Sequence, residues 1–385
     1  MQAKSIYIHL PFCKTKCPYC DFASFVEDKE KRFQEYFKAL FNEIDYRCQN
    51  FSTKPSIETI FFGGGTPSLH EAEEFVEIFL RLKKYFEFTQ DIEITLEANP
   101  GTVSQAKLEG YLQQGINRLS LGVQTFSEKL IKYLARGHSV TEAKEIISLV
   151  KNIGFKSWSI DLIYGLPQQT RQDWLETIQV ALSFEPPHVS SYALSIEANT
   201  PFGSIYKDSS HPDLPLEDDV VEMYYELNSR LENSGLERYE ISNWAKPGHE
   251  AAHNLTYWQA QEYFAFGLSA HGYINSKRYA NTRDMQAYLD KFSKHNMPQS
   301  KAEYLIDADE ITESLDKEKM LEERIFLALR LKKGLELTDA ILEKIDSKKL
   351  EEYIAKAYLH EEKNRLKLDE KALMISNQII FELIK

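Results

Sequence analysis

The sequence predicts an α/β chain, an open, partial barrel of six strand–helix units followed by a small, mainly helical C-terminal domain. Three observations predict it. Short runs rich in Ile, Val, Phe and Tyr recur along the first half, amphipathic stretches separate them, and from about Lys301 the composition shifts to Glu, Lys and Leu with little Gly. Strand and helix alternating six times implies a parallel sheet, because each return to a parallel neighbour needs a crossover. A closed barrel takes eight such units. Six leave an open barrel with a lateral mouth, or else an open doubly wound sheet.

Taken in order, a first strand over residues 5–10 leads through a cysteine-bearing loop into an amphipathic helix over 31–48. Strands over 57–62, 92–97, 117–122 and 157–163 are each followed by a helix, over 71–86, 104–113, 141–153 and 173–184, and a sixth strand covers 188–194. Helical periodicity returns over 322–333 and 338–345, and 357–369 has the form of a short hairpin, which together read as a winged-helix-like module. The expected division is a barrel domain over 1–290 and a helical domain over 300–385.

Of the 385 residues, 43% are apolar and 27% charged, ordinary values for a globular protein with a sizeable core. The 46 basic and 59 acidic residues give a formal charge of -13, which repels nucleic-acid backbones and anionic lipid. The N-terminus has no room for a secretion signal, and no apolar run approaches the roughly 20 residues of a membrane span. A cytoplasmic protein without a nucleic-acid partner is expected.

Polar and glycine-rich signals sit just after the strands, where chemistry gathers in parallel α/β folds. Cys13, Cys17 and Cys20 fall in one loop as Cys-x-x-x-Cys-x-Tyr-Cys. Three thiolates can each bind one iron of a cubane cluster and leave the fourth iron without a protein ligand. A structural zinc site is the alternative, although such sites normally take four protein ligands and no matching fourth Cys or His lies nearby. Cys48 falls on the apolar side of the first long helix and reads as core.

This spacing after a first strand resembles the cluster loop of radical S-adenosylmethionine (SAM) proteins. The resemblance implies a partial (β/α)6 barrel, a [4Fe-4S] cluster on Cys13, Cys17 and Cys20, and SAM chelating the open iron. Gly63-Gly64-Gly65-Thr66-Pro67 is similar to the motif that holds SAM's amino end, pointing to Gly64, Gly65 and Thr66. Tyr7, Tyr19, Glu97, Gln124, Arg136 and Asp161 stand where related proteins contact SAM. Carboxylates can accept ribose hydroxyls and an arginine can pair with a carboxylate. The plain alternative for each is a polar residue capping a strand end.

Over roughly residues 5–280 the pattern resembles the branch that holds oxygen-independent coproporphyrinogen III oxidase and the heme-chaperone family HemW. The oxidase has a Cys two places after its third cluster Cys, where this chain has Phe22, and a longer segment before the cluster loop. His253-Asn254-Leu-Thr-Tyr257-Trp258 matches the His-Asn-x-x-Tyr-Trp motif of the chaperone family. What the resemblance implies is heme as cargo, an acceptor hemoprotein that can be membrane-associated, and a protein reductant. Imidazole is a common heme ligand and aromatic rings offer flat apolar surface. A His beside Asn, Tyr and Trp could equally close a hydrogen-bonded corner, and His249 and His271 lie close by. Decarboxylation of coproporphyrinogen III stays open as the enzymatic alternative.

Overall fold

The computed structural model describes residues 3–27, 30–208, 210–293 and 303–385. Six strand–helix alternations are present as expected. β1 (Ser5–Leu10), β4 (Ser56–Gly64), β5 (Glu87–Ala98), β6 (Arg118–Gln124), β7 (Ser157–Tyr164) and β8 (His188–Ala193) form consecutive parallel neighbours. β2 (Phe12–Cys13) and β3 (Phe25–Val26) pair with each other across the cysteine loop. Between the main strands run α1 (Glu30–Cys48), α2 (Ala72–Tyr85), α3 (Gln105–Gln113), α4 (Glu128–Tyr133), α5 (Val140–Ile153) and α6 (Arg171–Ser183). Their boundaries have local causes. Ser139 and Thr170 open α5 and α6 with reciprocal capping boxes to Glu142 and Asp173, and Gly154 ends α5 at φ 105°. β1 and β7 are buried along almost their whole length, as expected of strands covered by helices.

The rest of this half was not legible in the strand pattern. After α7 (Pro201–Ile205) and α8 (Glu217–Asn233), β9 (Glu237–Glu240) and β10 (Asn243–Ala245) extend the sheet antiparallel beyond β8. α9 (Ala252–Trp258) follows, and β11 (Phe264–Phe266) then adds a parallel strand beside β1. The nine-stranded order is β11-β1-β4-β5-β6-β7-β8-β10-β9, so β11 and β9 are edges and the barrel stays open. The hairpin β12 (His271–Ile274) and β13 (Lys277–Ala280), with α10 (Met285–Ser293), completes this region.

β14 (Ile311–Ser314) pairs with β13, and a buried ionic network ties the same segment to α1. Arg47 uses all five guanidinium donors, on Glu43 (2.7 Å), Glu310 (2.8 and 2.9 Å), the Asn281 side chain (2.8 Å) and the Leu305 carbonyl (2.9 Å). Beyond it lie α11 (Lys317–Ala328), β15 (Leu335–Glu336), α12 (Asp339–Lys344), α13 (Ser347–Ala355), β16 (Leu359–Glu362), β17 (Arg365–Leu368) and α14 (Ser376–Leu383). Helices around the small sheet β15-β17-β16 fit the expected module. The helix expected over 322–333 instead runs Lys317–Ala328, because Asp316 caps the Lys319 N–H and starts it earlier, and Gly334 at φ 74° turns the chain after it. The expected domain start at 300 and the composition shift at Lys301 lie outside the described residues. No helix among the described residues is long and apolar enough to cross a membrane.

Candidate cluster and cofactor site

The C-terminal ends of the parallel strands surround a pocket of about 550 Å³. All three loop cysteines line it, as do Tyr7, Tyr19, Gly64, Gly65, Thr66, Glu97, Gln124, Arg136 and Asp161. Residues spread over more than 150 positions of sequence thus meet in one place, because they lie within the parallel strands or in the loops that leave them at this end.

The cysteine loop is shaped by a turn in which the Cys20 N–H donates to the Cys17 carbonyl at 3.1 Å. The Thr66 hydroxyl donates to Cys13 Sγ at 3.5 Å, and Arg136 Nη1 to Cys17 Sγ at 3.5 Å and the Tyr19 hydroxyl at 3.4 Å. Burial pushes the Cys13 and Cys20 thiols up from their ordinary range. Cys48 is wholly buried in α1, away from this loop.

The glycine run lies against the loop's entry. Gly65 and Thr66 donate N–H groups to the carbonyls of Leu10 (2.9 Å) and Phe12 (2.7 Å). A Cβ on Gly65 would sit 2.6 Å from the Phe12 carbonyl oxygen, and one on Gly64, at φ 112°, would strike the His9 imidazole at 2.5 Å. Glycine is therefore required for the backbone to approach this closely. The Gly64 N–H points at Glu97 Oε2, 3.1 Å away. Burial and then the Asp161 charge push the Glu97 carboxyl up to about 7. Asp161 itself accepts from Ser120 (2.6 Å) and Ser159 (2.8 Å). Gln124 ends β6 at φ 72°, a backbone strain located at the pocket wall.

The residues fit the cluster and cofactor of the resemblance. Among the described residues no three His, Cys, Asp or Glu side chains converge on a single-ion site, and the three thiols all line one pocket. Arg136 Nε is buried there with no hydrogen-bond partner, a donor left for a ligand.

One contributor was missed in the sequence. His9 accepts the Tyr7 hydroxyl at Nδ1 (3.0 Å) and donates from Nε2 to the Ala23 carbonyl (2.9 Å), fixing the far side of the cysteine loop. The signal was available, since His9 lies two residues after Tyr7 and so shares its face of β1.

The His-Asn-x-x-Tyr-Trp segment is α9, which lies across the N-terminal half of the strands as the barrel floor. Its first turn directs the Ala252 and His253 N–H groups at the Glu93 carboxylate, at 3.1 and 3.0 Å. Asn254 and Tyr257 line the pocket from below; His253 and Trp258 do not. The His253 ring has no exposed surface, stacks on Phe61 at 5.2 Å, and has both nitrogens engaged, on Thr59 Oγ1 and the Tyr257 hydroxyl, each at 2.8 Å. Burial pushes its imidazole down to about 3. As an iron ligand, the role its motif suggested, His253 is thus not presented to the pocket. His249 sits at the opposite end of the strands from the cysteines, 3.2 Å from Ser157.

Residues 7–181 match the Radical SAM superfamily and residues 315–375 the HemN C-terminal domain. A heme chaperone HemW of Haemophilus influenzae is 39% identical over 74% of this chain and 75% of its own length. That of Bacillus subtilis is 34% identical over 98% of both chains. The solved structure of coproporphyrinogen III oxidase (HemN) from Escherichia coli superposes with a TM-score of 0.83, covering 99% of this chain and 89% of that one at 21% identity, which shows a shared fold. The chain belongs to the radical SAM superfamily and, within it, to the family of the heme chaperone HemW.

Proposed function

We propose that this protein takes up heme and passes it to acceptor hemoproteins, using a barrel that also holds a [4Fe-4S] cluster on Cys13, Cys17 and Cys20 with SAM beside it. The observation that carries the reading is the likeness to HemW relatives along essentially the whole chain. When bound, the cluster and SAM supply reductive cleavage chemistry. The chain's own residues have separate tasks. Gly64, Gly65 and Thr66 offer backbone to SAM's amino end, Arg136 a cation for its carboxylate, and Glu97 and Asp161 acceptors for the nucleoside. Tyr7, Tyr19 and Gln124 complete the wall, and Asn254 and Tyr257 form the floor. The acceptor, which can be membrane-associated, and a reducing protein are the proposed partners, and the cytoplasm the proposed site of action. Two units, over 1–290 and 300–385, remain the proposed organisation, with the segment around Glu310 packed onto the first.

Phe22, 62% exposed, occupies the place where the oxidase branch carries a further cysteine, which favours cargo handling over decarboxylation. Anaerobic reconstitution with iron and sulfide, followed by heme titration and transfer to a heme-depleted hemoprotein, tests the reading. Heme uptake and transfer are expected; release of CO2 from coproporphyrinogen III with SAM consumption would overturn it.

A further inference from the structure

Desolvation makes a buried ion costly unless a group of opposite charge, in the chain or in a ligand, compensates it. Arg118, the first residue of β6, is 3% exposed and forms no ion pair with a carboxylate among the described residues. Its Nη1 donates to the Ser157 hydroxyl at 2.9 Å and to the His249 carbonyl at 3.2 Å, whereas Nε and Nη2 donate to no described residue. Its charge bears instead on two imidazoles, His188 and His249, which burial and then this guanidinium hold below their usual range. Neutral rings do not compensate it. The carboxylates of the surrounding walls are engaged elsewhere: Asp161 accepts Ser120 and Ser159, Glu93 accepts the first N–H groups of α9, and burial keeps Glu97 protonated up to about pH 7.

A second group beside it is also unmatched. Thr95 of β5 pairs with Arg118 in strand register and so shares its inward face. It is 1% exposed, lines the cluster pocket, and its Oγ1 is buried with no hydrogen-bond partner. Arg118, Ser120, Gly122 and Gln124 alternate along the inward face of β6, and all four line the same pocket. Gln124 stands about 20 Å further along the strand, so Arg118 lies at the base of the pocket, below the residues proposed to hold SAM. There it is the wall between two cavities, because it also lines a second one, of about 590 Å³, at the opposite end of the strands. Its bond to the His249 carbonyl sets it beside the turn that leads into the floor helix.

The free Nε–Nη2 edge of a guanidinium takes both oxygens of a carboxylate, and a threonine hydroxyl can donate to one of them. One guanidinium also balances a carboxylate's single charge. A phosphate, near −2, would be left half compensated, because the pocket's other cations, Arg136 and Lys16, are held at the cysteine loop. We propose that Arg118 and Thr95 form the site for a carboxylate of the molecule that enters the barrel, at the base of the cluster pocket. Identifying that carboxylate as a heme propionate rests on the heme-handling reading; a small free acid offers the same chemistry.

Titrations of the reconstituted full-length chain with heme and with heme dimethyl ester test the site, with succinate as the small acid. The parent should bind heme about tenfold more tightly than the ester, and Arg118→Met should bind the two alike with iron and sulfide content unchanged. Thr95→Val removes only the unmatched hydroxyl, so it should raise the urea midpoint of the ligand-free protein while weakening heme binding a few-fold. A lowered midpoint with parent-like affinity would make Thr95 structural and overturn its part. If Arg118→Met keeps the preference for heme but loses a rise in midpoint that succinate gives the parent, the site holds a free acid. If it keeps the preference and succinate shifts parent and variant alike or not at all, the site is overturned with heme handling intact. A parent that takes up no heme overturns the functional reading, and the succinate comparison alone then decides the site.

Discussion

Two carboxylates face the pocket and they are held differently. Asp161 accepts two serine hydroxyls, whereas Glu97 accepts only the Gly64 N–H and sits beside the Asp161 charge. The proton consequently stays on Glu97 until about pH 7, against an ordinary value near 4.5. Between those two values the folded state binds a proton that the unfolded chain has released, so stability falls as pH rises through the window. The effect has an upper limit of about 3 kcal/mol, because the carboxyl borders the pocket. Glu97→Gln should therefore raise the unfolding midpoint of the cofactor-free protein at about pH 8, leave it near the parent's at about pH 4.5, and weaken SAM binding about tenfold by calorimetry. An unaltered midpoint at both values would show that Glu97 is ionised throughout. The cysteines separate in the same way. Cys17→Ala should abolish the four-iron complement in iron and sulfide analysis, while Cys48→Ala should keep it and cost only about 1–2 kcal/mol for a small cavity in α1.

At the level of elements, the floor helix shows what a motif can and cannot tell. The identities of His253, Asn254, Tyr257 and Trp258 were plain in the sequence, but their directions depend on how α9 crosses the strands. With Thr59 and Tyr257 on its two nitrogens, His253 is a positioning residue that pins α9 to β4 and sets Tyr257 in the pocket wall. His253→Ala leaves two buried hydroxyls short of a partner and opens a cavity, a loss of about 2–4 kcal/mol in urea unfolding. Faster amide exchange in α9 should accompany it, with iron and sulfide content unchanged; parent-like stability and exchange would rule out the pinning role. The six parallel strands were legible because short runs rich in Ile, Val, Phe and Tyr, most fully buried in β1 and β7, recur between the helices, and α1 to α3, α5 and α6 because their apolar residues keep helical spacing. The β12–β13 hairpin was not, since its two-residue turn uses Asn275 and Ser276, both at positive φ, instead of an Asn-Gly pair. α13 and α14 escaped for want of a long periodic stretch.

Across the whole molecule, most of the buried histidines share one electrostatic condition. Burial pushes His9 and His138 down to about 4, His253 to about 3, and His188 well below its ordinary range. They lie in different places, beneath the cysteine loop, beside Asn99, on the floor helix and at the start of β8. Unfolding exposes all four at once. As pH falls below 6.5 the unfolded chain takes up protons that the folded chain refuses, so each histidine contributes stability that is lost between 6.5 and its folded value. At about pH 5 His9, His138 and His253 have each lost roughly 2 kcal/mol, and together, with His188 acting in the same direction, they rival the lower end of the roughly 5–15 kcal/mol net stability of a typical domain. Glu97 acts in the opposite sense but is a single group. The Arg47 network does not offset the loss, because Arg47 stays charged and Glu310 is held below its ordinary range, despite its burial, by that guanidinium. Stability of the cofactor-free protein should therefore peak near neutral pH and fall steeply towards pH 5, with about three protons net taken up on unfolding there, those of the four imidazoles less the one that Glu97 releases. Urea midpoints measured from about pH 8 down to pH 5 give that number from their slope, and a flat profile across this range would mean that the four imidazoles are already charged in the native state.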